Sequence, residues 1–380
     1  MTANVRHAAG RLLVVGLGGT ELTGLERAWL KLVRPAGIIL FKRNIADPAQ
    51  TRALMREATA LCTPGALRCV DVEGGTVDRL RDALAPMPSA LAVSRRAVET
   101  GNASLMREHG ELAARGVKAF GFNATLAPVL DLGLPASAKV MGTRCAAATP
   151  QGVIEYAGHF LAGLTAHGVI GCAKHFPGLG GGTLDSHAAT PSIARTFDEL
   201  WREDMLPYRE LRDALPMIMV NHAAYPATRG RVTPASVSRF WIAAVLRGRI
   251  GYRGLILSDD MEMGGILGFM PIEEAAAAAI RAGMDLIEIC HSPELILRAY
   301  ESLVAEGEKS APFRSLLLAR SRESARKRAK LCSDDRAPAL SARQFAALRG
   351  RILRFRETIG EPVASSPAPA QQPPAGAAST

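Results

Sequence analysis

Eight short runs rich in Val, Ile and Leu recur along the chain, each followed by a stretch with helical spacing of its apolar residues. A strand that is apolar on both faces must be covered on both, and a crossover helix after each strand does this for a parallel sheet. The runs are RLLVVGLG from Arg11, GIILFK from Gly37, LRCVDVE from Leu67, NATLAPVLDL from Asn123, VIGCAKHF from Val169, PMIMVNH from Pro216, GLILSDD from Gly254 and MDLIEIC from Met284. Between them, PAQTRALMREATAL, TPQGVIEYAGHFLAGLTAHG, SVSRFWIAAVLRGRIG and PIEEAAAAAIRAG read as helices, several opened by Pro or Ser/Thr and closed by Gly. Eight βα units predict an α/β chain folded as a single TIM (β/α)8 barrel. A doubly wound open sheet is the competing architecture, but it would show fewer strands and a phosphate-binding glycine turn.

The strand signals stop after Gly307. The expected organisation is a barrel over residues 1–310, basic helices packed on it over 311–360, and a disordered tail over 361–380, where EPVASSPAPAQQPPAGAAST holds five prolines and almost no bulky apolar side chain. The net charge of +10 would hint at nucleic acid if it were spread over the chain. Instead, residues 311–360 carry 13 Lys and Arg against 4 Asp and Glu, whereas residues 1–310 carry 33 against 31. The surplus centres on Arg322, Arg326, Lys327, Arg328 and Lys330, which at helical spacing read as a solvated face, with a patch for an anionic partner as the alternative. No nucleic-acid or membrane partner is expected, and a monomer is expected over an oligomer.

Six scattered cysteines without a C-x-x-C pair argue against a disulfide framework or a zinc knuckle, and point to a reducing compartment. The apolar run from Leu12 to Val15 is shorter than a signal-peptide core, so the cytoplasm is the expected location.

In a barrel the reacting groups sit at the carboxyl ends of strands, because the loops that follow build the open mouth. The polar residues cluster there. Asp71 and Glu73 end the third run, Asp131 the fourth, Lys174 and His175 the fifth, Asn221 and His222 the sixth, and Asp259 and Asp260 the seventh. The string KHFPGLGGGTLDSH, from Lys174 to His187, sets Asp185 two residues before His187 in a glycine-rich loop. A carboxylate at that spacing can bond one ring nitrogen and leave the other for proton transfer. In GLILSDDMEM, a carboxylate at the end of a buried strand is held in place well enough to serve as a nucleophile.

These strings, in this order, resemble family 3 glycoside hydrolases, specifically the bacterial β-N-acetylglucosaminidases (β-hexosaminidases) of peptidoglycan recycling. The resemblance spans residues 11–300 and rests on GTELTGLE from Gly19, GIILFKRNI from Gly37, DVEGGTVDRL from Asp71, APVLDL from Ala127, KHFPG with DSH twelve residues after its histidine, NHAAYPA from Asn221 and SDDMEM from Ser258. It implies that Asp259 is the nucleophile and Asp260 structural, that His187 is the general acid/base, and that Asp185 orients it. It also implies that Asp71, Arg79, Arg144, Lys174 and His175 bind the sugar. The mechanism implied is two-step retention without a metal or organic cofactor, Asp185 raising the pKa of His187 so that it is protonated for the first step. The substrate implied is a muropeptide fragment or another N-acetylglucosamine glycoside, with the cationic set Arg79, Arg144 and Lys174 compatible with a nearby lactyl carboxylate.

The chain departs from the family pattern at Leu179, where a histidine is usual, and at Val72, Thr76 and Cys145-Ala146. Three other readings compete: a glycoside phosphorylase of the same fold, a catalytically inactive carbohydrate-binding relative, and a metal-dependent barrel hydrolase using His175, Asp185, His187 and Asp259. The last lacks the paired histidines such sites place after the first strand, where this chain has Gly16, Gly18 and Gly19.

Overall fold

The computed structural model describes residues 2–182, 190–230, 232–332 and 339–361. Eight strands close into a barrel: β1 (Leu13–Gly16), β2 (Gly37–Leu40), β3 (Leu67–Val70), β4 (Ala124–Thr125), β5 (Ile170–Phe176), β6 (Met217–Val220), β7 (Leu255–Asp260) and β8 (Leu286–Ile289). Each pairs in parallel with its neighbour in the chain, and β1 closes the ring against β8 with Val14 opposite Glu288. All eight apolar runs are barrel strands, and the open-sheet alternative is excluded by the closure.

The apolar runs carry two cores because side chains alternate along each strand. Val14, Ile39, Cys69, Cys172, Met219 and Leu257 fill the barrel interior. Their neighbours, such as Leu13, Ile38, Val70, Ile218 and Ile256, face outward and pack under the helices. Each fully buried side chain of this size contributes about 1.5–3 kcal/mol relative to exposure.

The run NATLAPVLDL forms a regular strand only over Ala124–Thr125. Pro128 has no N–H to donate, so the ladder becomes irregular there. Pairing to β5 continues through the N–H of Cys172 to Ala127 O at 2.9 Å and of Leu130 to Lys174 O at 2.6 Å.

The helix candidates are helical at Pro48–Thr59, Pro150–Ala166 and Ile272–Ala282, while the stretch from Phe240 to Arg249 winds as a π-helix. Helix Ile272–Ala282 stops at Gly283, whose φ of 111° disfavours any residue with a Cβ, and the chain turns there into β8. Among the described residues, no helix is long and apolar enough to cross a membrane.

Two long helices follow the last barrel unit, Ala311–Leu331 and Ala342–Ile359. The first crosses the end of the barrel remote from the strand carboxyl termini and corrects the reading of its basic cluster. Lys327 Nζ donates to Gly254 O at 3.1 Å and pairs with Asp285 at 3.1 Å, while Arg328 is fully buried and donates to Gly65 O at 2.8 Å and Ala36 O at 3.3 Å. Both therefore bond the backbone just before β2, β3 and β7. Arg322, Arg326 and Lys330 remain on the exposed side.

Candidate active site

The site is built where β3, β5 and β7 end. The chain leaves β3 at Asp71 and folds a short hairpin of Val72–Gly74 and Val77–Asp78 over the barrel mouth. Buried Asp78 holds the hairpin by accepting the N–H groups of Leu80 and Met87, each at 3.0 Å. Gly74 is required at its bend: φ is 89°, and a Cβ would lie 2.1 Å from Pro88 O. This geometry sets Glu73 beneath the hairpin, while the Arg79 N–H returns to Asp71 O at 3.0 Å.

Lys174, at the end of β5, is the hub. Its Nζ lies 2.8 Å from Asp71 Oδ1 and 2.6 Å from Glu73 Oε1. Arg144 grips Glu73 with both ends of its guanidinium, at 2.8 and 2.9 Å, and Arg79 approaches Asp71 at 3.6 Å. Burial alone would push both carboxyls up. At Glu73, Arg144 and Lys174 outweigh it, and at Asp71, Lys174 and Arg79 do, so both stay below the usual carboxylate range. Burial would likewise lower Lys174, but Asp71 and Glu73 hold it above the usual range and therefore charged.

His175 turns the other way. Its Nδ1 lies 2.6 Å from Asp131 Oδ2, and Asp131 also accepts the N–H groups of His175 at 3.2 Å and Leu179 at 2.7 Å. Its Nε2 lies 3.4 Å from Arg144 Nη2. A carboxylate only accepts and a guanidinium only donates, so a neutral ring protonated on Nδ1 satisfies both partners.

The opposite wall belongs to β7 and β8, since β3 and β7 lie four places apart in the ring of eight. Asp259 lines the cavity, and its Oδ1 accepts the Asp260 N–H at 2.9 Å. Asp260 points to backbone, accepting the N–H groups of Glu262 at 3.1 Å and Cys290 at 3.2 Å, so it ties β7 to β8. Burial, then the Glu262 carboxylate, pushes Asp260 up to about 7. Asp260, Glu262 and His291 bring one ligand atom each within 4.8 Å of one another, the group of described residues with a spacing suited to a cation.

Between the two walls lies a cavity of about 460 Å³. Asp71, Arg79, Arg144, Lys174, His175 and Asp259, expected to form the site, all line it. Asp185 and His187 lie outside the described residues. Asn221 and His222 stand behind the cavity instead: Asn221 Nδ2 donates to His175 O at 2.9 Å, and His222 contacts Ser236 Oγ at 2.7 Å and Asp260 O at 3.0 Å. Sequence reasoning gave no role to Phe41, Arg43, Glu288 or His291, which also line the cavity. For Glu288 a signal existed, an acid flanked by isoleucines inside the apolar run MDLIEIC.

Residues 5–314 match the glycosyl hydrolase family 3 N-terminal domain. A β-hexosaminidase of Pseudomonas aeruginosa is 38% identical over 295 residues, covering 77% of this chain and 86% of that protein. One from Alkalilimnicola ehrlichii is 38% identical over 287 residues, covering 75% and 82%. Among solved structures, a family 3 β-N-acetylglucosaminidase from Paenibacillus is similar with a TM-score of 0.81 at 29% identity, covering 92% of this chain and 68% of that one. NagZ from Neisseria gonorrhoeae, in complex with N-trifluoroacetyl-D-glucosamine, is similar with a TM-score of 0.74 at 27% identity, covering 91% and 98%.

Proposed function

This chain belongs to glycosyl hydrolase family 3, and on that premise we propose that it is a retaining exo-β-N-acetylglucosaminidase acting through a covalent glycosyl-enzyme on Asp259. The observation that carries the reading is the position of the Asp259 carboxylate on one wall of a sugar-sized cavity whose other wall is the Asp71–Lys174–Glu73–Arg144 lattice with His175.

The lattice suits the non-reducing end of a sugar. Asp71 accepts from hydroxyls, while Lys174, Arg144 and Arg79 donate to them. These ions are already paired and desolvated, so they hold their positions without reorganising when substrate arrives. A ring held there presents its anomeric carbon to Asp259. The carboxylate attacks through an oxocarbenium-like transition state, the departing oxygen takes a proton, and water then releases the glycosyl-enzyme.

In this reading His187 gives and later recovers that proton, with Asp185 fixing its ring. Leu179, bonded to Asp131, lines the cavity, and Thr190 Oγ1 donates to Gly265 O at 2.6 Å, shortly after Asp259 in the chain. These two residues bracket the DSH string, which supports giving it the acid/base role.

The substrate proposed is N-acetylglucosamine β-1,4-linked to 1,6-anhydro-N-acetylmuramic acid, from cytoplasmic cell-wall recycling. Trapping with a 2-fluoro sugar followed by peptide mapping tests the proposal. The expected label is on Asp259; a label on another residue, or a first product of inverted configuration, overturns it.

A further inference from the structure

Glu288 sits within β8 between Ile287 and Ile289, on the inner face of the barrel with Leu286 and Cys290. It is 2% exposed and lines the cavity. Its backbone is fully engaged, the N–H with Ser258 Oγ at 3.0 Å and the carbonyl with the Met261 N–H at 2.9 Å. The side chain is not. Oε1 accepts the Cys290 thiol at 3.3 Å, but Oε2 has no hydrogen-bond partner among the described residues.

No described cation pairs with this carboxyl. Burial first, and then the charges of Asp260 and Asp71, push it well above the usual range. A carboxyl in these surroundings takes up a proton more readily than a free one, and once protonated it has one O–H to donate and acceptor capacity to spare. An apolar residue would suit this part of the barrel interior better, since nothing among the described residues offsets the unpaired oxygen.

Its place in the ring indicates what completes it. β8 pairs with β7, with Glu288 opposite Asp260, and the charges of both Asp71 and Asp259 reach its carboxyl, so Glu288 stands between the nucleophile and the wall that holds the sugar. The anomeric carbon has two ring neighbours, the ring oxygen and C2, and only C2 carries a substituent able both to donate and to accept. An acetamido group matches a carboxylic acid on both counts, its carbonyl taking the acid O–H and its N–H reaching the other oxygen. A hydroxyl at C2 is a shorter partner and satisfies less of it.

We propose that Glu288 is a specificity-determining residue that hydrogen-bonds the substituent at C2 of the sugar and favours acetamido over hydroxyl. This rests on Asp259 being the nucleophile. The test measures kcat/KM for 4-nitrophenyl N-acetyl-β-glucosaminide and 4-nitrophenyl β-glucoside and takes their ratio. Glu288→Leu is expected to lower the ratio about tenfold or more, because a site built to hydrogen-bond a group loses its discrimination when that bond is removed. Glu288→Gln, which keeps a donor and an acceptor, is expected to hold the ratio within about threefold. Should the Leu variant not fold, Glu288→Asp withdraws the carboxyl by one methylene and is expected to lower the ratio in the same direction. A folded Leu or Asp variant with the wild-type ratio overturns the Glu288 proposal alone. A wild-type protein idle on both glycosides, or trapped on a residue other than Asp259, overturns the functional reading and this proposal together.

Discussion

Replacing Lys174 by Met keeps most of the aliphatic stem and removes the ammonium, and the geometry specifies what remains. Asp71 loses a 2.8 Å contact and Glu73 one of 2.6 Å. Glu73 keeps Arg144 on both oxygens, whereas among the described residues Asp71 keeps only Arg79 at 3.6 Å, a partner 34% exposed and so partly screened by water. Deleting one member of a buried pair costs about 3–5 kcal/mol, and the surviving Arg144 bond places this variant near the lower end, about 3 kcal/mol at neutral pH.

The pH dependence separates this electrostatic loss from a packing loss. In the wild type, Asp71 and Glu73 have folded pKa values below their unfolded ones, so their stabilisation is present above the unfolded range near pH 4 and is lost as pH falls through the folded values. In the variant, burial at Asp71 is no longer offset. Its folded pKa moves above the unfolded one, and the carboxyl destabilises the fold as pH rises beyond about 4. The stability gap between the two proteins is expected to widen from pH 4 to pH 7 as the unpaired Asp71 of the variant resists ionising, and to close only as pH falls below 4 through the wild-type folded values, as read by urea denaturation with matched m-values. A gap that stays constant across that range refutes the argument and assigns the loss to packing.

Arg328→Met leaves the carbonyls of Gly65 and Ala36 without their guanidinium donor and is expected to cost about 1–3 kcal/mol in denaturation, with kcat/KM of the folded enzyme unchanged because the site lies at the other end of the barrel. Asp204, packed against Gly178 and 3.2 Å from Arg195, is pushed up to about 7 by burial, a folded value above the unfolded one. Its contribution therefore makes the native state less stable as pH rises from about 4 to 7, and Asp204→Asn is expected to flatten the stability profile in that window, an unchanged slope contradicting the assignment.

The strands were legible because a parallel barrel buries both faces of each one, and that demand writes itself into local composition as an apolar run. Legibility failed where a single residue overrode the pattern. Pro128 cut the regular part of β4 to two residues, and the periodicity of the Phe240–Arg249 segment did not distinguish an α-helix from the wider π winding. The basic cluster misled for a different reason: Lys327 and Arg328 carry the same positive charge as Arg322 and Arg326, and only the packing of their helix across the barrel end turned two of them inward. Within the site, strand-end position alone pointed to Asp71, Lys174, His175 and Asp259, but also to Asn221 and His222, which stand behind the cavity. Glu288 was not given a role, because an acid in an apolar run, like Asp285 three residues before it, does not declare which face it occupies.

Composition along the chain alone determined the number of strands, their order and which ends carry chemistry, since these follow from local periodicity and the fixed sense of βα connections. What only the tertiary structure decided is which charges meet. Lys174 lies 103 residues from Asp71 in sequence and 2.8 Å away in space, because closing the ring brings the ends of β3 and β5 over one cavity. Pairing and desolvation depend on that closure and not on neighbours in sequence, and they determine whether a carboxyl is held below its usual range, as at Asp71, or pushed above it, as at Glu288.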